Sequence, residues 1–117
     1  IYREIGRRLS EIVDLAIFVG GNFQRYATGA TSGGMSRDAL KPAEQGFAQA
    51  AEMLSNHLKA GDLVLIKGRD TQRLERISWL LQGRPVRCEI DFCPTRITSC
   101  GDCPMLTTGW EGRRVVI

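Results

Sequence analysis

The sequence predicts an α/β protein built on a parallel sheet, followed by a small cysteine-rich tail. Three observations predict it. Amphipathic helical segments alternate with short apolar runs along residues 1–84, the order that produces crossover units on a parallel sheet. One run, Leu63–Ile66, is wholly apolar, as a strand buried on both faces would be. After Pro85 the helical periodicity fades, and all four cysteines fall in that part. The expected domains are therefore 1–84 and 85–117.

The elements follow in order. Ile1, Ile5, Leu9 and Ile12 recur at helical spacing and define an amphipathic opening helix with these residues inward. Asp14–Val19 reads as a strand, and Gly20-Gly21-Asn22 turns the chain. A second helix over 23–32 would turn Phe23, Tyr26, Ala27 and Ala30 inward and stop at Gly33-Gly34. Residues 36–44 hold Pro42 and one apolar pair, which suits a loop or a short edge strand. Phe47, Ala51, Leu54 and Leu58 mark the buried stripe of a third helix ended by Gly61. The Leu63–Ile66 strand follows, then a helix from about Thr71 with Leu74, Ile77, Leu80 and Leu81 on one side, closed by Gly83 and Pro85.

The turn Lys67-Gly68-Arg69-Asp70 is the candidate binding site. Ligands of open α/β sheets sit at the carboxyl ends of strands. There an anion would meet Lys67, Arg69 and the start of a helix. Gly68 lets the backbone come close to a ligand, and Arg69 can grip a carboxylate with two parallel bonds. Asp70, alone or with Thr71, is expected to cap the next helix. Arg73 and Arg76 are expected on the helix flank, paired with Glu75 or Asp70. The only histidine, His57, is placed near a helix end and is not expected to act as a ligand. Trp79 and Trp110 are read as packing residues.

Composition narrows the classes of function. With 117 residues, 43% hydrophobic and 25% charged, the chain suits one compact domain. No apolar run approaches a membrane span, and no signal peptide is visible. The net charge of +3 lies wholly in residues 63–117, where nine basic groups meet six acidic ones. That excess fits a small anionic ligand, a weak nucleic-acid contact or simply a solvated basic face, and is too small to argue for nucleic acid alone.

Cys88, Cys93, Cys100 and Cys103 are spaced C-x4-C-x6-C-x2-C. A structural zinc site with all four positions filled by sulfur is one reading. Two disulfides are a second, and an iron–sulfur cluster or free thiols a third. The tail has few large apolar side chains, so a metal would supply much of its folding energy.

Three stretches carry a family resemblance: YREIGRRLSEIVDLAIFVG at 2–20, GATSGGM at 29–35 and LKAGDLVLIKGRDTQRLERISWLL at 58–81. Residues 2–81 resemble the C-terminal domain of the Mur ligases, above all the type that adds D-alanyl-D-alanine. The resemblance implies a Rossmann-like, three-layer parallel sheet, incomplete here because the domain's opening strands are missing. It implies a cytoplasmic enzyme of peptidoglycan precursor synthesis that forms an amide bond with ATP and Mg2+, held mainly by a central domain. The substrates would be a UDP-MurNAc-peptide and an amino acid or dipeptide, positioned by Lys67, Gly68, Arg69 and Asp70. This chain holds no GxxxxGK[ST] motif, so alone it is expected to be inactive. Its turn departs from the usual KGSR, and Tyr2 stands where the family often has His. The missing strands would leave an open sheet edge, so a homodimer of the fragment is expected. The alternative is a zinc-knuckle binding module that contacts nucleic acid or a protein through Arg96, Arg113 and Arg114.

Overall fold

The computed structural model describes residues 1–94 and 99–103. The chain divides within its third helix into two compact units, 1–50 and 51–117.

In the first unit, helix α1 (Tyr2–Ile12) leads to strand β1 (Ala16–Val19), helix α2 (Phe23–Ser32) and strand β2 (Leu40–Ala43). β1 and β2 pair in parallel, with Ala16 opposite Leu40 and Val19 opposite Ala43, and α2 is the crossover between them. The α/β class therefore holds. Among the described residues the sheet has two strands. Pro42 sits opposite Phe18; it is tolerated because each strand of a two-stranded sheet is an edge. Gly20 and Asn22 turn the chain with φ of 104° and 70°, conformations that glycine and asparagine adopt most readily. Ala27, Ala30 and Leu40 are buried together, with Ala16, Phe18, Phe23 and Met35 packed against them.

Helix α1 does not bury the isoleucine stripe its periodicity suggests. Ile1, Ile5 and Ile12 are all exposed, and the buried residue of the helix is Gly6. The reason is how closely α1 and α2 approach. A Cβ on Gly6 would run into the Tyr26 carbonyl, and one on Gly29 into the Arg3 carbonyl. Two glycines facing the opposite backbone draw the helices together along the glycine face and leave the isoleucines outside. Tyr2 meets Tyr26 edge-on at 5.3 Å, and Phe18 stacks on Tyr26 at 5.0 Å, within the range of favourable aromatic pairs.

Helix α3 (Phe47–His57) begins with Phe47, Ala50 and Ala51 buried, and Gly61 at φ 91° turns the chain beyond it. Leu63–Ile66 is not a buried strand. Leu63 is 97% and Leu65 82% exposed, and Val64 and Ile66 are half-buried. The backbone of residues 63–68 makes no hydrogen bond among the described residues. The second unit offers no other strand among those residues to pair with, so the segment stays as an unpaired stretch with alternating exposure. Beyond it come a 3-10 turn at Asp70–Gln72 and helix α4 (Glu75–Leu81). Gly83, at φ 78°, ends α4.

Adding a methyl at the helix contact gains about 1 kcal/mol of helix propensity but forces two backbones apart. Overpacking costs about 1–3 kcal/mol, and here backbone rather than a flexible side chain must yield, so the clash wins. Gly6→Ala and Gly29→Ala should each lower the denaturation midpoint in urea. Gly21→Ala, where a Cβ would meet nothing within 4 Å, should leave it unchanged.

Candidate functional site

The turn after Ile66 is built by close local packing. A Cβ on Gly68 would stand 2.5 Å from Leu74 Cδ1 and 2.8 Å from Gln72 Oε1, so only glycine fits there without movement. The Arg69 backbone N–H donates to Gln72 Oε1 at 3.0 Å, and the Gln72 N–H donates back to the Arg69 carbonyl at 3.0 Å. Arg69 therefore occupies the capping position expected for Asp70 or Thr71, and Asp70 is the first residue of the 3-10 turn. Arg73 then takes a left-handed conformation, φ 49° and ψ 51°, and separates this turn from α4. A single continuous helix from Thr71 is thus replaced by two pieces.

A half-open hollow of about 580 Å3 lies at this junction. Gly68, Arg69 and Asp70 line it together with Arg73, Glu75 and Ser78. Three of the four residues proposed from sequence share one site. Lys67 is exposed and not among the lining residues. The turn does not follow a sheet strand, so the expected placement at the carboxyl end of one does not hold. Arg73, Glu75 and Ser78 were missed as site residues. No spacing in the sequence marks them, because the left-handed turn at Arg73 breaks the helical path between Asp70 and Glu75. The hollow carries both signs of charge, Arg69 and Arg73 against Asp70 and Glu75, and Arg73 Nη1 lies 3.9 Å from Glu75 Oε1.

Arg76 is not a flank residue. It is 1% exposed, and its guanidinium is spread over backbone carbonyls. Nε donates to the Arg73 carbonyl at 3.0 Å, and Nη2 donates to those of Gln72 at 2.9 Å and Ile90 at 2.8 Å. Nη1 donates to the Cys88 carbonyl at 3.2 Å and contacts its sulfur at 3.6 Å. The Cys93 N–H donates to the Thr71 carbonyl at 2.8 Å. These bonds attach the first part of the cysteine segment to the 3-10 turn and α4.

All four cysteines are free thiols. Cys100 is buried, and its Sγ donates to Glu75 Oε1 at 3.2 Å. Burial, then the hydrogen bond to Glu75 and that group's negative charge, push its pKa from 9.0 up to about 12, while Arg76 and Arg73 pull it the other way. Among the described residues no three His, Cys, Asp or Glu side chains are grouped so as to hold a metal ion. Cys88 Sγ contacts Arg76 and Cys100 Sγ contacts Glu75. Arg96, Trp110, Arg113 and Arg114 lie outside the described residues.

No protein-family model matches the chain, and neither a curated protein nor a solved structure matches it.

Two outcomes test this geometry. Arg76→Ala should cost about 3 kcal/mol of stability, since several buried carbonyls would lose their donor at roughly 1 kcal/mol each. Cys100 has a folded-state pKa above its unfolded value, so its protonated form is favoured by folding. That contribution is fully present below pH 9 and is lost as the pH rises towards 12. Wild type should lose more stability than Cys100→Ala over that range in urea melts.

Proposed function

We propose that the chain is a substrate-positioning domain of an ATP-dependent, amide-forming ligase of the Mur type, and that the hollow receives the amine substrate. The observation that carries this reading is the hollow's mixed charge. Arg69 and Arg73 suit a carboxylate, while Asp70 and Glu75 suit an ammonium group, the two ends of a zwitterionic amino acid or dipeptide. Ser78 adds a neutral hydrogen-bonding group to the same wall. The sequence resemblance supports the same class of substrate. In such an enzyme the domain would hold the attacking amine in place, which lowers the entropic part of the barrier. The UDP-MurNAc-peptide, ATP and Mg2+ would be met mainly by other domains. The Rossmann-like, three-layer sheet and the cytoplasmic setting belong to this reading as well.

The chain's own residues supply binding and orientation, with no phosphoryl-transfer motif. Purified chain should therefore show no ATP hydrolysis above background. It should bind D-alanyl-D-alanine in NMR titrations, with the largest shifts at Gly68–Ser78. Arg69→Ala should weaken that binding at least about tenfold, the loss of one charge-assisted hydrogen bond. Equal affinity for a blocked dipeptide lacking both charges would overturn the reading.

The alternative, a zinc-knuckle module for nucleic acid or a protein partner, draws on the cysteine spacing and the basic excess of residues 63–117. To take up zinc, Cys100 would have to leave Glu75 and Cys88 would have to leave Arg76. Elemental analysis should find one zinc per chain if the alternative holds. Salt-dependent RNA or DNA binding, lost on charge reversal at Arg96, Arg113 and Arg114, would support it further.

A further inference from the structure

Cys100 and Cys103 bound one 3-10 turn, Cys100–Asp102, in which the Cys103 N–H donates to the Cys100 carbonyl at 3.1 Å. The Ser99 hydroxyl accepts from the Gly101 N–H at 3.1 Å and fixes the start of the turn. A hydrogen-bonded turn of this kind holds residues i and i+3 with their Cα atoms within about 7 Å, close to the span a disulfide bridges. It also stacks their side chains along one face. Both thiols are free, Cys100 buried and Cys103 half-exposed. The turn packs beside Trp79, because a Cβ on Gly101 would stand 3.6 Å from that indole ring.

We propose that Cys100 and Cys103 form a redox-active dithiol that low-molecular-weight disulfides of the glutathione class oxidise to a local disulfide. The more accessible thiol starts the exchange. Cys103, as thiolate, attacks one sulfur of oxidised glutathione; a Cys103–glutathione disulfide forms and one glutathione thiolate leaves. Cys100 then attacks the Cys103 sulfur, and the second glutathione leaves as a thiol, taking up the Cys100 proton. The dithiol loses two electrons and two protons, and the glutathione disulfide becomes two glutathione thiols. Glu75 accepts the Cys100 S–H and holds that thiol protonated, so Cys103 is the thiol that reacts first. Closure of the ring removes that S–H and leaves the Glu75 carboxylate to Arg73. The proposal needs no ligand in the hollow and is independent of the ligase reading.

The test is to equilibrate the full reduced chain in glutathione buffers of defined ratio, quench with acid, and map thiols by mass spectrometry. The expected product has lost two hydrogens and has Cys100 joined to Cys103. Cys100→Ser should instead accumulate a glutathione adduct on Cys103, and Cys103→Ser should stay largely unmodified. Glu75→Gln removes a group that keeps Cys100 protonated, so ring closure should speed up while adduct formation on Cys103 stays unchanged. Oxidation should shift the tryptophan emission in wild type, and Trp79→Phe should abolish the shift without changing the mass result. A different pairing, such as Cys88 with Cys93, would overturn the proposal. So would four thiols that stay reduced in excess oxidised glutathione, or a stoichiometric zinc ion that shields all four. The mapping on wild type decides the pairing even if a variant fails to fold.

Discussion

The second unit depends on one buried guanidinium. A charged side chain removed from water is stable only where its hydrogen-bonding capacity is met, and Arg76 meets it with main-chain carbonyls from two separate stretches. It therefore acts as a bracket. It holds the carbonyls of Gln72 and Arg73 on one side and those of Cys88 and Ile90 on the other. Helix α4 is too short to organise its surroundings by propensity alone, and the segment after it has little apolar surface to bury. The planar, five-donor geometry of arginine does what a small core cannot.

Much of the first unit was legible in the sequence. α2 lies over Phe23–Ser32 as the spacing of Phe23, Tyr26, Ala27 and Ala30 predicted, and β1 falls within the expected run. The same logic failed at α1, because hydrophobic periodicity assumes that the larger apolar side chains face inward. There the contact is made by the residue with no side chain. Leu63–Ile66 failed for another reason. An apolar run states what a segment would bury if a partner were present, and the partner is not encoded in the run itself.

The candidate site was half legible. Gly68, Arg69 and Asp70 stood out as a basic turn, but their companions came from a break that no propensity announces: Arg73 in a left-handed conformation, which redirects the chain between two helical pieces. Arg76 was misread because an arginine on a helix is normally solvated. Only the carbonyls of residues distant in sequence show why this one is not. Glu75 is the residue on which the two halves meet. It faces Arg73 on one side and the Cys100 thiol on the other, so the charge balance of the hollow and the chemical state of the cysteine turn are read by one carboxylate.

The open stretch at 63–68 carries its own implication. Exposure alternates along it, with Leu63 and Leu65 in solvent and Val64 and Ile66 half-buried. Leu63 and Leu65 stand in water with no strand beside them among the described residues, so their apolar surface adds nothing to the stability of the unit as it stands. Burying either leucine fully would contribute about 1.5–3 kcal/mol.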